Sequence, residues 1–306
     1  MGSIGGRLAG PRRPHSGKGL STFVLALPML LVFGYFAWWP MIRAGVMSVQ
    51  SNDLVNAPEW VGLDNFRRVF DDPLLWTAIK NTLWFTLLAL VFGYPIPILL
   101  AVLMNELTRG KGVYSVLAYL PVVIPPVAAI LLWGVFYDAG PDGVFNTTLG
   151  WVGLGPWPWI QSSTWAMPSV VLLATWSSAG ATMIIYLAAL TGVRTELYEA
   201  AEVDGAGIFD KVWHITLPQL RNVMFVTLIL QLIGTFQVFT EPFLLTDGGP
   251  ADSTVTVLML IYRYAFGAGG GGDYGAATAL SLMLAAFLAV FSALYFRLTR
   301  PWATTS

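Results

Sequence analysis

The chain contains no cysteine and only two histidines, His15 and His214, among its 306 residues. Without cysteine, disulfides, thiolate metal sites and cysteine nucleophiles are all excluded. The two histidines lie in separate polar segments, which leaves almost nothing for a histidine metal site or proton relay. We therefore expect no metal site and no catalytic residue in this chain.

Charged residues are also scarce. They make up 11% of the sequence, whereas hydrophobic residues make up 56%, and a typical soluble domain is about 25% charged. The net charge is −1, and the sequence lacks the basic patch that a nucleic-acid partner would need. The composition indicates a membrane protein that does not bind nucleic acid.

Six charge-free windows are long enough for transmembrane helices, each of which needs about 20 mostly apolar residues. They are bounded by Lys18 and Arg43, Lys80 and Glu106, Lys111 and Asp138, about Ala166 and Leu190, Arg221 and Glu241, and Asp273 and Arg297. The apolar stretch Ser253–Tyr262 is too short to span, so we expect a short interfacial or loop element there. The predicted fold is an all-α polytopic membrane protein with six transmembrane helices in residues 20–300, flanked by tails at 1–19 and 301–306.

The distribution of Lys and Arg predicts the orientation, because these residues concentrate in cytoplasmic segments. One side has eleven of them: Arg7, Arg12, Arg13, Lys18, Arg109, Lys111, Arg194, Lys211, Arg221, Arg297 and Arg300. The other side has four: Arg43, Arg67, Arg68 and Arg263. We therefore expect both termini to be cytoplasmic.

Residues 194–221, here called the polar loop, carry eight charged side chains between two apolar windows. Each charge would cost about 3 kcal/mol at the bilayer centre, so the polar loop is expected in the cytoplasm. Thr195 is predicted to cap a first short helix, and Gly205 to end it in left-handed geometry. A second short helix is predicted from about Ile208 to His214, and Pro218 is expected in the first turn of the next span. Such a compact element has no catalytic constellation, which favours a docking role.

The polar loop resembles the EAA signature of ABC importer permeases. The match comprises Glu199-Ala200-Ala201, then Gly205 after three residues, and Ile215-x-Leu217-Pro218 after nine more. The resemblance implies that the loop inserts into a groove on a cytoplasmic ATPase and transmits its closure to the membrane helices. The residues implied in this coupling are Glu199, Ala200, Ala201, Asp204 and Gly205. Family members often have Ile-Pro where this chain has Val193-Arg194, which puts the entry angle of the first helix in doubt.

Four further segments are similar to carbohydrate-uptake permeases of the MalF type: "VGLDNFRRVFDDPLLWTAIKNTLWFT", "YLPVVIPPVAAILLWGVF", "LTDGGPADST" and "YGAATALS". The resemblance implies a type I ABC importer permease fold in a bacterial-type plasma membrane. It also implies a second homologous permease, two copies of a cytoplasmic ATPase and an extracytoplasmic solute-binding protein as partners. No Walker A pattern is present, so ATP and Mg²⁺ are expected on the partner ATPase, and this chain is expected to bind no cofactor and to catalyse no reaction.

A neutral sugar needs uncharged hydrogen-bonding groups and aromatic faces along its path. In the fifth span, Gln231, Gln237 and, at its outer end, Glu241 fall with Gly234 within an arc of about 120° at 100° per residue, so they could line one path. Trp176 in the fourth span and Asn81 at the start of the second are the other candidates for the substrate path. The alternative is that these polar side chains only bond neighbouring helices.

Other functions remain open at this point. The same type of importer could carry glycerol phosphate or a polyol. An ion-coupled secondary transporter is disfavoured because the six windows contain no Asp, Glu, Lys or Arg, although backbone carbonyls can bind sodium. An intramembrane enzyme would need a Ser–His, paired-carboxylate or metal site, and none is evident in these windows.

Overall fold

The computed structural model of the chain describes residues 17–107, 109–267 and 272–303. Most of the predicted N-terminal tail, His15 and the last three residues of the predicted C-terminal tail lie outside these ranges. The α-helices are α1 Gly17–Phe33, α2 Trp39–Met47, α3 Asp64–Asp71, α4 Pro73–Leu88, α5 Pro95–Glu106, α6 Lys111–Val123, α7 Pro126–Phe136, α8 Val144–Gly150, α9 Ala166–Leu190, α10 Thr195–Val203, α11 Ile208–Lys211, α12 Leu217–Phe236, α13 Thr240–Thr246, α14 Val257–Phe266 and α15 Tyr274–Ala303. Shorter elements are the π-helical turns Gly34–Trp38, Ala89–Gly93 and Val212–Thr216, the 3₁₀ turn Trp159–Gln161, and an antiparallel pair of strands, β1 Gln50–Ser51 and β2 Glu59–Trp60.

Five helices in the described ranges are long and apolar enough to cross a membrane. They are Thr22–Met47, Pro73–Glu106, Ala166–Leu190, Ile208–Phe236 and Tyr274–Thr299. The first, second and fourth of these continue through a π-helical turn. Five of the six predicted windows are therefore confirmed as long apolar helices, with bounds that differ by several residues.

The third window is not one helix, which corrects the prediction. Helices α6 and α7 meet at an angle of 98°, because Pro125 and Pro126 interrupt the hydrogen bonding. A residue before proline is pushed out of the α region, and Ile124 and Pro125 are extended, with ψ angles of 130° and 131°. If this bent pair is counted as one broken span, the described residues contain six.

The second half of the polar loop also differs from the prediction. The expected short helix Ile208–His214 is instead the beginning of one continuous helix, Ile208–Phe236. Pro218 has no N–H to bond the carbonyl four residues earlier. The turn before it widens to a π-helix in which the Leu217 N–H bonds the Val212 carbonyl. Pro218 therefore lies in the first turn of α12, as predicted, but the π-helical turn joins α12 to α11 without a break.

Helix α9 is the centre of the bundle and packs against α4, α5, α6 and α12. At one end, which we call the loop end, buried side chains from α5, α9 and α12 meet beneath the polar loop, among them Met104, Leu190 and Leu220. At the opposite end, the hairpin end, α3, α4, α14 and α15 share a second buried cluster. The predicted interfacial element at 253–262 is thus largely a helix, α14, whose Met259 and Leu260 are buried in that cluster.

Hydrogen bonds and a close backbone contact tie the hairpin end together. The Asn65 side chain is buried and its Nδ2 donates to the carbonyls of Ser48 and Gln50, at 2.8 and 2.9 Å. A Cβ on Gly275 would lie 2.4 Å from the Gln50 carbonyl oxygen, so α15 approaches β1 closely. The Tyr264 hydroxyl bonds the Asp72 carboxylate, and burial together with this bond raises the pKa of Tyr264.

Candidate functional site

The first helix of the polar loop ends as the sequence predicts but begins differently. Arg194 occupies the N-cap without a side-chain hydrogen bond, and Thr195 is already helical. The prediction that Thr195 caps the helix is therefore wrong by one position, a common uncertainty at helix ends. Gly205 has a φ of +79° with open space around it, so the left-handed conformation is what favours glycine there.

Two side-chain contacts hold the polar loop against the start of the fifth span. The Tyr198 hydroxyl bonds Oγ1 of the buried Thr216 at 3.0 Å. Lys211 Nζ lies 2.9 Å from Oε1 of Glu202. These contacts connect α10 to the helix Ile208–Phe236.

The surface of the polar loop combines the predicted residues with apolar side chains that the sequence did not single out as site residues. Glu199, Ala200, Asp204 and Gly205 are exposed, whereas Ala201 is half-buried. Around them Val203, Phe209 and Trp213 expose 88%, 90% and 70% of their surface. Exposed apolar groups grouped among charges are typical of protein interaction surfaces. The available signal was the presence of large apolar residues within a highly charged segment.

A cavity of about 470 Å³ lies between the second, fourth and fifth spans and α13. Its lining residues are Phe85, Tyr94, Pro97, Ala174, Ser178, Thr182, Ile185, Thr227, Leu230, Gln231, Gly234, Thr235, Gln237, Val238, Phe239, Thr240 and Glu241. Gln231, Gln237 and Glu241, which the sequence analysis groups together, all line this cavity, and their contact with a substrate stays a prediction. They do not lie on one helix, as the predicted arc requires, because α12 ends at Phe236 and Glu241 belongs to α13.

The polar groups of the cavity fall into two kinds. Ser178 and Thr227 donate to carbonyls of their own helices, and the Tyr94 hydroxyl donates to the Met224 carbonyl at 2.6 Å. Within the part of the chain that the structure describes, the side chains of Gln231 and Glu241 have no hydrogen-bond or ion-pair partner, and neither does that of Gln237. These three are available to a molecule in the cavity, and Phe85 and Phe239 add aromatic surface.

The structure does not bring Asn81 or Trp176 to the cavity. The Asn81 amide donates to the carbonyls of Asp252 and Val255, at 2.7 and 2.9 Å. Trp176 packs against Trp133 with ring centroids 5.3 Å apart. Both side chains serve packing between elements here, as the alternative for polar and aromatic residues in spans predicts.

Some lining residues were missed. Tyr94, Thr182 and Thr240 were not predicted, and Ser178 was noted only as a polar position in the fourth span. Each could be noticed in the sequence as a polar residue in an otherwise apolar window, but whether its side chain faces the cavity depends on how the helices pack.

Among the residues that the structure describes, no three His, Asp or Glu side chains are grouped as metal ligands would be. The cavity is therefore equipped for binding by hydrogen bonds and aromatic contact.

Comparison with known proteins adds three findings to this geometry. Residues 93–302 match the profile of the family described as binding-protein-dependent transport system inner membrane component. The arabinooligosaccharides transport system permease protein AraP of Halalkalibacterium halodurans is 32% identical over 274 residues, covering 89% of this chain and 86% of that protein. The sn-glycerol-3-phosphate transport system permease protein UgpA of Pectobacterium atrosepticum is 34% identical over 238 residues, 77% of this chain and 80% of that protein.

A solved structure shares the fold over almost the whole chain. It is a crystal structure of a bacterial ABC transporter involved in the import of the acidic polysaccharide alginate. The two chains superpose with a TM-score of 0.82 and 29% sequence identity, over 95% of this chain and 98% of the other. The all-α permease fold expected from the sequence is confirmed by this match.

Proposed function

The chain belongs to the family of binding-protein-dependent transport system inner membrane components, and we propose that it is the permease subunit of an ATP-driven importer for a sugar or oligosaccharide. The observation that carries the proposal is a cavity among the spans whose two glutamine amides and one carboxylate have no partner among the described residues. Hydroxyl-rich cargo needs such donors and acceptors, and aromatic walls suit the apolar faces of sugar rings.

The polar loop is the proposed coupling element. Glu199, Ala200, Ala201, Asp204 and Gly205 would contact a cytoplasmic ATPase that binds ATP and Mg²⁺. Support comes from the exposure of this surface and from the apolar side chains around it. Further support comes from the contacts of α10 with Thr216 and Lys211, because these residues belong to the helix Ile208–Phe236, which also lines the cavity.

The first span supports a further subunit. Residues 23–43 are mostly exposed and none of them is buried by the rest of the described chain, so their apolar side chains can contact lipid and a second, homologous permease. We place the complete assembly in a bacterial-type plasma membrane, with both termini and the polar loop cytoplasmic. It would contain two ATPase copies and an extracytoplasmic solute-binding protein that docks at the hairpin end.

The choice of cargo rests on the relatives and on the cavity. The name of AraP gives arabinooligosaccharides as its cargo, and the name of UgpA gives sn-glycerol-3-phosphate. A phosphate ester is best held by Arg or Lys, and none of the described residues lining the cavity is basic. The cavity therefore favours a sugar over glycerol phosphate, while a polyol would meet the same uncharged groups.

The test is ATP hydrolysis by the reconstituted complex with its binding protein, measured across neutral oligosaccharides, polyols and glycerol-3-phosphate. We expect stimulation by one class of saccharide. Stimulation only by glycerol-3-phosphate would assign the alternative cargo. If no ATPase co-assembles and uptake instead follows an ion gradient, the importer function is wrong.

A further inference from the structure

Of the described residues that line the cavity, Glu241 alone is charged, and its position suggests a role in choosing cargo. We propose that Glu241 is a specificity-determining residue that admits neutral saccharides and disfavours acidic saccharides and phosphate esters. This inference rests on the proposed importer function and deepens it, since it names the charge class of the cargo.

The electrostatics of the cavity are one-sided. Among the described residues that line it, Glu241 carries the only formal charge. Its carboxylate has no ion-pair or hydrogen-bond partner in the described part of the chain. At the hairpin end, Arg263 is already bound to the Asp252 carboxylate and the Asp247 carbonyl, both at 3.1 Å. The uncompensated charge facing the cavity is therefore negative.

The carboxylate is carried by a firmly packed element. Glu241 lies in the first turn of α13, next to the buried Pro242. Phe239 and Phe243, which flank Glu241 in the sequence, stack with their ring centroids 4.9 Å apart. The Thr246 hydroxyl donates to the Pro242 carbonyl at 2.7 Å. Helix α13 also packs against α7 and α9. The backbone of Glu241 is thus fixed, and the charge stays at the cavity wall.

This arrangement treats neutral and anionic cargo differently. A carboxylate accepts strong hydrogen bonds from sugar hydroxyls, and the amides of Gln231 and Gln237 can complement both hydroxyl donors and acceptors. A uronate or phosphate group at the same place would face a like charge, and like-charge contacts are unfavourable at an interface. The wall contributed by this chain therefore discriminates by repulsion as well as by attraction.

The effect of the Glu241 charge on the cavity can be measured without knowing the cargo. Because the chain has no cysteine, a cysteine introduced at one position is the only thiol of this chain that a thiol reagent can modify. A single reporter, Gln237→Cys, is placed in the assembled transporter in lipid nanodiscs. Its modification by the anionic sulfonatoethyl and the cationic trimethylammonioethyl methanethiosulfonates is followed by mass spectrometry of this chain. Each rate is divided by the rate of the same reagent with a small free thiol.

We expect the cationic reagent to be favoured about tenfold at low salt, as expected for a unit charge a few ångströms away. Glu241→Gln, which keeps the shape, should abolish the preference, and so should 1 M salt, where the screening length falls to about 3 Å. Ser163→Cys, an exposed position in another loop, is the control at which Glu241→Gln should change nothing. Thr240→Cys replaces the first reporter if Gln237→Cys does not assemble.

Equal rates at the cavity reporter, or a preference that survives Glu241→Gln, would overturn the role of Glu241. Cargo-stimulated ATP hydrolysis by the complex without any of these substitutions separates this failure from failure of the proposed function. Stimulation by a neutral saccharide with no charge preference at the reporter removes Glu241 and leaves the importer in place. Stimulation by a uronate oligosaccharide or glycerol-3-phosphate overturns the inference, and stimulation by no saccharide overturns both.

Discussion

The two ends of the bundle are both rich in charged residues, but they use them in opposite ways. At the hairpin end, Asn65, Arg68 and Asp273 bond one another or nearby backbone. At the loop end, Glu199 and Asp204 point away from the bundle, alongside apolar Phe209 at 90% exposure. The difference indicates that these residues of the hairpin end stabilise this chain, whereas Glu199 and Asp204 of the polar loop are exposed to another protein.

The largest effect is expected from breaking the polar loop itself. In Glu199→Lys combined with Gly205→Pro, the charge is reversed and the φ of +79° becomes inaccessible, since proline fixes φ near −65°. We expect ATP-driven uptake to be lost and the ATPase no longer to co-purify, while the helical content of the permease is retained. Uptake assays and co-purification measure both.

The matched control for that variant is Gly62→Pro at the hairpin end. Gly62 also has a positive φ, +60°, and open space around it, so the local strain is similar. Co-purification of the ATPase should be unaffected. If both variants lose the ATPase equally, general misfolding is the cause, and the comparison between the two ends fails.

A second, smaller effect is expected from single apolar side chains. Phe209→Ser should weaken ATPase binding about fivefold or more, because aromatic residues buried at an interface often contribute above about 1 kcal/mol. Trp151→Ser is the matched control, since Trp151 exposes 80% of its surface in a different loop. Binding is measured by titrating the ATPase onto permease complexes in nanodiscs. Equal loss in the two variants would show that Phe209 has no specific role.

A third effect concerns stability rather than coupling. Asn65→Ala removes the donors to the Ser48 and Gln50 carbonyls in a fully buried site. Leaving such groups unsatisfied costs about 1–3 kcal/mol, so the melting temperature should fall while ATPase binding at the loop end stays normal. Asn56→Ala is the control, because Asn56 bonds only the exposed side chain of Asp53. A normal melting temperature for Asn65→Ala would mean that the stability of the hairpin end does not depend on the hydrogen bonds of Asn65.

These contrasts also explain which features could be predicted from the sequence. Apolar windows predict membrane helices because length and hydrophobicity alone decide insertion. Gly205 was predictable because a left-handed residue at a helix end favours glycine. The 98° bend between α6 and α7 does not follow from the charge-free window, because hydrophobicity gives the length of an apolar segment and not the place where Pro125 and Pro126 break its helix.

The cavity was only partly predictable for a related reason. Gln231 and Gln237 were identified because amides are rare in apolar spans. The direction in which Asn81 and Trp176 face depends on contacts with Asp252 and Trp133, which are distant in sequence. Helical periodicity contains no information on such contacts. Similarly, Glu241 reaches the cavity through a separate helix, α13, whose placement depends on its packing against α7 and α9.

The smallest effect is expected for an exposed ion pair at the hairpin end. Arg68 lies 2.9 Å from Asp273, with 55% and 36% of the two side chains exposed. Such pairs contribute less than about 1 kcal/mol, so Arg68→Lys should lower the melting temperature slightly at low salt and not at 1 M salt. Arg67→Lys, at a more exposed pair 3.8 Å from Asp64, should have no measurable effect. If the melting temperature of Arg68→Lys stays lowered at high salt, the contribution of Arg68 comes instead from its hydrogen bond with the buried Asn65 and not from its charge at the surface.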